Sequence, residues 1–214
     1  MSISFSQQNL CMHFEFLVTF LIASTLLTVS PGPDIVYVVS QSIAQGQKTG
    51  VAVSLGLTTG LWVHTALVAL GLSVWIVDTP FVMTFLKILG SLYFAFLAYE
   101  VFRKKVNFAL KESQSLSFVN SFRVGLFMNL LNPKVSLFFI AFFPGFLFHD
   151  TWSPAFQFVV LGGIFWLQAT FVFCSAAYLS HRVAKPLFSM PKSLGFFRFL
   201  QLGVYAVLIV WLWV

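Results

Sequence analysis

Apolar runs of about 20 residues or more follow one another along almost the whole chain, and no stretch between them is polar enough to fold in water on its own. A helix crossing the hydrocarbon core of a bilayer needs about 20 mainly apolar residues. Only 8% of the 214 residues are Asp, Glu, Lys or Arg and 59% are apolar or aromatic, against roughly 25% charged in a soluble domain. Such a chain lacks the polar surface to cover itself in water. It reads as an all-α integral membrane protein forming a single domain over residues 1–214.

Polar or proline-marked breaks divide the chain into about six candidate transmembrane helices, near 14–45, 50–77, 81–102, 122–148, 156–179 and 194–214. The first apolar run has no basic flank, since the first Lys or Arg is Lys48, so it reads as a retained span and not a secretory signal. The first and fourth spans each hold a proline motif well inside the run: Ser30-Pro31-Gly32-Pro33-Asp34 and Asn132-Pro133-Lys134. Proline removes a backbone donor and clashes with the preceding turn. Both helices are therefore expected to break and restart within the membrane.

Ten of the twelve basic residues fall in or beside alternate connections: Lys48, Arg103 to Lys105 with Lys111 and Arg123, and Arg182, Lys185, Lys192 and Arg198. The N-terminal tail and the connections around Asp78 and around His149 and Asp150 have none. The basic side is assigned to the cytoplasm, and an even number of spans places both termini outside. The net charge of +6 is thus a matter of orientation and lipid headgroups, and it implies no nucleic-acid binding.

The two halves echo one another. A broken span is followed by a glycine-bearing span (Gly56 and Gly60; Gly162 and Gly163), then by Leu89-Gly90-Ser91-Leu92-Tyr93 or Leu202-Gly203-Val204-Tyr205. Three spans per half is an odd number, so the halves, about 14–105 and 120–214, would be inverted repeats. In transporters of that plan, interrupted spans at matching positions point to the binding site.

A helix that restarts inside the bilayer exposes unpaired N–H groups and the positive end of its dipole, and a substrate carboxylate suits that end. Pro33 fits a first helical turn, with Ser30 or Asp34 available to cap it. Asn132 before Pro133 has the order of an N-cap followed by a first-turn proline. Ionisable residues within spans are costly and mark functional candidates. Asp34 can neutralise a substrate ammonium, carry a coupling proton or only cap a helix. His64 can exchange a proton near neutral pH, or sit as a neutral ring on a nearby carbonyl. Lys134 lies unfavourably for the dipole of its own helix and needs a partner, for which Asp34 is the obvious one. Asn129 and Asn132, three apart, can share a face and orient a zwitterion. Gln168 holds roughly the place in the fifth span that His64 holds in the second. The candidate substrate-binding set is therefore Ser30, Pro31, Gly32, Pro33, Asp34, Asn129, Asn132, Pro133 and Lys134, with Asp34 and His64 as proton-coupling candidates and Gln168 secondary.

Lys87 and Glu100, thirteen apart in the third span, stay outside that set. The G-x-x-x-G of Gly56 and Gly60 permits close helix approach, within one subunit or between copies in a homo-oligomer. The 28 phenylalanines read as packing or lipid-facing residues. Cys11 and Cys174 form no CxxC pair, and neither a metal site, a cofactor site nor a catalytic residue is expected.

These motifs resemble the LysE/RhtB family of amino-acid exporters. The resemblance rests on Ser30-Pro31-Gly32-Pro33-Asp34, Gly46 and Gly50, Gly56, Gly60 and His64, Gly90 with Tyr93, and Asn129-x-x-Asn132-Pro133-Lys134 followed by Phe138-Phe139 and Pro144. It covers nearly the whole chain. Gly145 departs from the Gln frequent after this proline in the family, and the match thins after Pro154. The resemblance implies an inner-membrane exporter of amino acids or their derivatives, driven by the proton motive force. Competing readings are metal-cation efflux, a membrane-embedded enzyme and a passive channel. A single intramembrane Asp argues against the first, and the lack of HExxH or a nucleophile motif against the second.

Overall fold

Proline sets most of the helix starts. The computed structural model describes residues 5–30, 32–72, 80–103, 116–149, 151–180 and 191–213. Its helices are α1 (Phe5–Val29), α2 (Pro33–Gln45), α3 (Gln47–Leu67), α4 (Pro80–Arg103), α5 (Phe118–Leu130), α6 (Pro133–Leu137), α7 (Pro154–Leu179) and α8 (Pro191–Trp211). Five of these eight begin on a proline, whose missing N–H would be unpaired in a first turn anyway. This moves the expected starts of the fifth and sixth spans back to Pro154 and Pro191. The fourth span also begins earlier than expected, at Phe118, because Ser117 caps it by accepting from the Asn120 N–H at 3.3 Å. Ser153 caps α7 in the same way. α2 turns into α3 through Gly46, whose φ of +95° disfavours any residue with a Cβ.

Among the described residues, Gln47–Gly71 and Pro154–Leu179 are continuous helices long and apolar enough to cross a membrane. Two bent pairs pass when each is taken as one span: Glu15–Val29 with Pro33–Gln45, bent by 55°, and Phe118–Leu130 with Pro133–Phe146, bent by 48°. The first and fourth spans are thus broken at the proline motifs, as the sequence implied. The 24 residues of α4 make a helix of about 36 Å at 1.5 Å per residue, and the sixth span holds the shorter apolar helix Arg198–Trp211. Pro31, Asp78, Asp150, Lys104, Lys105, Lys111, Arg182 and Lys185 lie outside the described residues.

The fourth span is not α-helical throughout. Beyond α6 the chain winds as a π-helix over Phe138–Phe142 and as a 3-10 turn over Phe143–Phe146. Pro144 cannot donate into an α-helical ladder, so the winding changes around it. That change aims Phe138, Phe139, Phe142, Phe143 and Phe146 inward, all fully buried. Phe20 of α1 meets Phe143 and Phe146 edge-on at 5.3 and 5.1 Å, and Trp211 stacks on Phe146 at 3.9 Å. Gly145 leaves room for that indole, since a Cβ there would stand 3.2 Å from the ring. Other aromatics, including Phe81, Phe171 and Phe199, line the outside.

α3 is the central helix, packed against α2, α5 and α7, while α4 packs against α8. The α3–α5 crossing is set by glycine on both sides. A Cβ on Gly56 would stand 2.0 Å from the Phe122 carbonyl oxygen, and one on Gly125 would stand 2.2 Å from that of Val53. The G-x-x-x-G of Gly56 and Gly60 therefore serves packing within the subunit. Hydroxyls in the spans return to carbonyls one turn back, as Thr28 does to Ser24 at 2.8 Å and Thr65 to Leu61 at 2.8 Å, which satisfies them without water.

Candidate functional site: a polar pocket where the two breaks meet

The two proline breaks come together. Asn132 donates through Nδ2 to Asp34 Oδ2 at 2.6 Å, bridging the restart of one broken helix to that of the other. Between them lies a pocket with about 360 Å³ of space between atoms, part of it open outward. Its polar wall is Thr28, Ser30, Gly32, Asp34, Asn129 and Lys134; its apolar wall includes Leu61 of α3 and Phe165, Ala169 and Phe173 of α7.

The restarts are built differently. At the first, the N-cap is Gly32, in extended conformation with φ −141° and ψ −179°, followed by Pro33 at the first helical position. Neither Ser30 nor Asp34 caps this helix: Gly32 has no side chain to do so, and no side-chain capping bond is made. At the second, Asn132 caps its own helix, accepting from the Lys134 N–H through Oδ1 at 3.0 Å. One amide thus closes α6 and reaches across to Asp34.

Lys134 finds partners that the residue types alone did not indicate. Its ammonium donates to the Leu27 carbonyl at 2.7 Å and the Ser30 carbonyl at 3.2 Å. These belong to the last turn of α1 and the residue after it, where unpaired carbonyls and the negative dipole end favour a cation. The side chain that sits badly for its own helix is well placed for the neighbour's. Asp34 attracts this ammonium electrostatically, but the direct hydrogen bonds of Lys134 go to the carbonyls, which corrects the expectation of a direct pair. Both side chains are buried, at 8% and 7% exposure.

Asn129 is 2% exposed and fills the space left by Gly60, where a Cβ would stand 2.5 Å from its Oδ1. His64 lies behind it. The ring Nε2 is 3.4 Å from the Asn129 carbonyl, the ring stacks on Phe139 at 5.4 Å, and it contributes nothing to the pocket lining. Gln168 also stays off the lining. It donates to Thr28 Oγ1 at 3.0 Å and accepts from Thr25 at 3.3 Å, fastening α7 to α1. Pro33 and Pro133 position the restarts without a polar side chain, and Pro31 lies outside the described residues.

Two contributors escaped the sequence reading. Thr28 lines the pocket one turn before the break, and nothing distinguishes it from other span hydroxyls. Tyr205 of α8 is 2% exposed, accepts from Gln201 at 3.0 Å and interacts with Ser30 and Asp34. The pairing of Leu202-Gly203-Val204-Tyr205 with the Tyr93 segment was the one signal for it.

Comparison with known proteins identifies the family. The LysE type translocator family matches residues 25–211. The homoserine/homoserine lactone efflux protein of Salmonella typhimurium is 32% identical over 174 residues, covering 81% of this chain and 84% of the relative. The uncharacterized membrane protein YrhP of Bacillus subtilis is 30% identical over 173 residues, covering 76% and 82%. No solved structure matches. With most of its length matched, its apolar helices and its broken spans, this multi-pass membrane protein belongs to the LysE type translocator family.

Proposed function

We propose that this protein is a secondary transporter that exports amino acids or amino-acid derivatives from the cytoplasm across the inner (plasma) membrane, driven by the proton motive force. One observation carries the reading: both helix breaks contribute to a single pocket lined by a carboxylate, a cation and the Asn129 amide, with a second amide, Asn132, bonded to the carboxylate. A zwitterion of amino-acid size matches that set. Its carboxylate would meet the α2 start beside Gly32, and its ammonium would meet Asp34. Further support comes from relatives named for homoserine and homoserine lactone efflux.

Alternating access would follow from rocking of two inverted repeats, about 14–105 and 120–214, with both termini outside the cytoplasm. The packing supports this plan. Exchanging the first span with the fourth and the second with the fifth turns the α1–α7 contact into the α5–α3 contact, and the second span's contact with the fifth maps onto itself. The α4–α8 contact between the third and sixth spans likewise maps onto itself.

Purified protein in proteoliposomes should exchange a labelled small amino acid for unlabelled internal substrate, and an imposed proton gradient should drive net flux. Asp34→Asn should abolish both while leaving a folded protein, because Asn132 can still donate to an amide oxygen at that place. Counterflow at the wild-type rate in this variant would remove Asp34 from the site. The lack of exchange with any small amino acid would remove the export reading.

A further inference from the structure

The α7 wall of the pocket is recessed. Phe165, Ala169 and Phe173 line the space at intervals of four residues, so they stand on successive turns of one helix face, about 6 Å apart along the axis. Two rings thus flank a single methyl group. All three residues are buried. Phe165 is not free to swing into the gap, because its ring stacks on Phe139 at 5.5 Å with the planes 14° apart and meets Phe138 edge-on at 5.4 Å, inside a closely packed interior. The depth of the recess is therefore set by the side chain at 169.

Its chemistry is as one-sided as its shape. Phe165, Ala169, Phe173 and the Leu61 that joins them from α3 carry no polar side-chain atom, and their backbone groups are spent within the two helices. Thr28, the lining hydroxyl tied to α7, already donates to the Ser24 carbonyl at 2.8 Å and accepts from Gln168 at 3.0 Å. We propose that Ala169 is the specificity-determining residue of this pocket. The side chain of the transported molecule seats between Phe165 and Phe173, and residue 169 fixes how long that side chain can be and favours an apolar one. This rests on the export reading, in which the charged ends of a zwitterion stay with the helix breaks and its remaining substituent is presented to α7.

The test titrates the thermal stability of the purified full-length chain in detergent with a straight series: glycine, L-alanine, L-2-aminobutyrate, L-norvaline and L-norleucine. Each added carbon should lower the half-saturating concentration about fourfold until the recess is full, after which it should rise. Ala169→Val should move that limit to a shorter side chain and Ala169→Gly to a longer one. Glycine puts nothing into the recess, so its half-saturating concentration should stay within about twofold in both, because the shared polar contacts are untouched. L-Homoserine has the shape of norvaline with a terminal hydroxyl, and it should bind about tenfold more weakly than norvaline because that hydroxyl finds no partner. Ala169→Ser supplies one and should narrow the gap. The same length limit in wild type and variants overturns the proposal, as does a loss of glycine binding equal to that of the longer members, or homoserine equal to norvaline in the wild type. Should valine prevent folding, the glycine and serine variants decide alone. No stabilisation by any member, glycine included, sinks the zwitterion site and this inference with it. Length-dependent binding that moves with residue 169, without counterflow in proteoliposomes, would sink export and leave the recess standing.

Discussion

The two helix breaks do the same thing to the backbone and opposite things to its chemistry. At the second, a side chain closes the new helix and a lysine reaches away from it. At the first, the capping position is a bare glycine and the neighbouring carboxylate keeps one oxygen without a partner. The second break is a fastener and the first is a receptor. Proline at matching positions therefore marks where a membrane helix restarts, and the residue before it decides whether the restart is sealed or left for a guest.

The largest way to break this contrast is to remove the fastener. Lys134→Met deletes two hydrogen bonds to the end of α1 and leaves Asp34 buried without its cation, so it should cost about 3 to 5 kcal/mol and abolish transport. Lys134→Arg should rescue poorly, because a planar fork replaces a compact ammonium. Thermal unfolding in detergent beside counterflow checks both, and a stable Met variant would mean that the α1 carbonyls have other partners.

A smaller change separates the two jobs of Asn132. Serine keeps a capping oxygen and loses the amide donor to Asp34, so Asn132→Ser should cost about 1 to 3 kcal/mol. Asn132→Ala should cost about 1 kcal/mol more, and that increment measures the cap. Equal losses in the two would show that capping contributes nothing. The smallest effect is expected from sealing the open restart. Gly32→Ser places a capping oxygen there at a gain of a few tenths of a kcal/mol, and a Cβ at this position would stand 3.6 Å from Lys134 Nζ, an ordinary contact. Transport should nonetheless fall several-fold. An unchanged rate would mean that the first N–H groups of α2 take no part.

Much of this site was legible because proline and ionisable residues are conspicuous in an apolar chain. Asp34, Asn132 and Lys134 announce themselves by type, and Pro133 behind Asn132 has the order of a cap. The partners of Lys134 had no such signal, since the Leu27 and Ser30 groups that it binds are backbone carbonyls, which every residue carries. The Gly32 cap was hidden for a related reason: Ser30 and Asp34 are better cappers by type, yet the register placed a residue without a side chain at the start of α2. The aromatic run after α6 hid its winding as well. Its periodicity fits a helix, while Pro144 forces the turns to change there.

The glycine seam between α3 and α5 limits how such a machine can move. Where main chain rests on main chain, as at Gly56 and Gly125, no flexible groups remain to lubricate sliding, so this crossing of one repeat on the other can only serve as the pivot of their rocking. Slippage is left to the α1–α7 boundary, held by the detachable Thr25, Gln168 and Thr28 links. A cysteine staple across the first boundary should leave turnover intact, and one across the second should stop it.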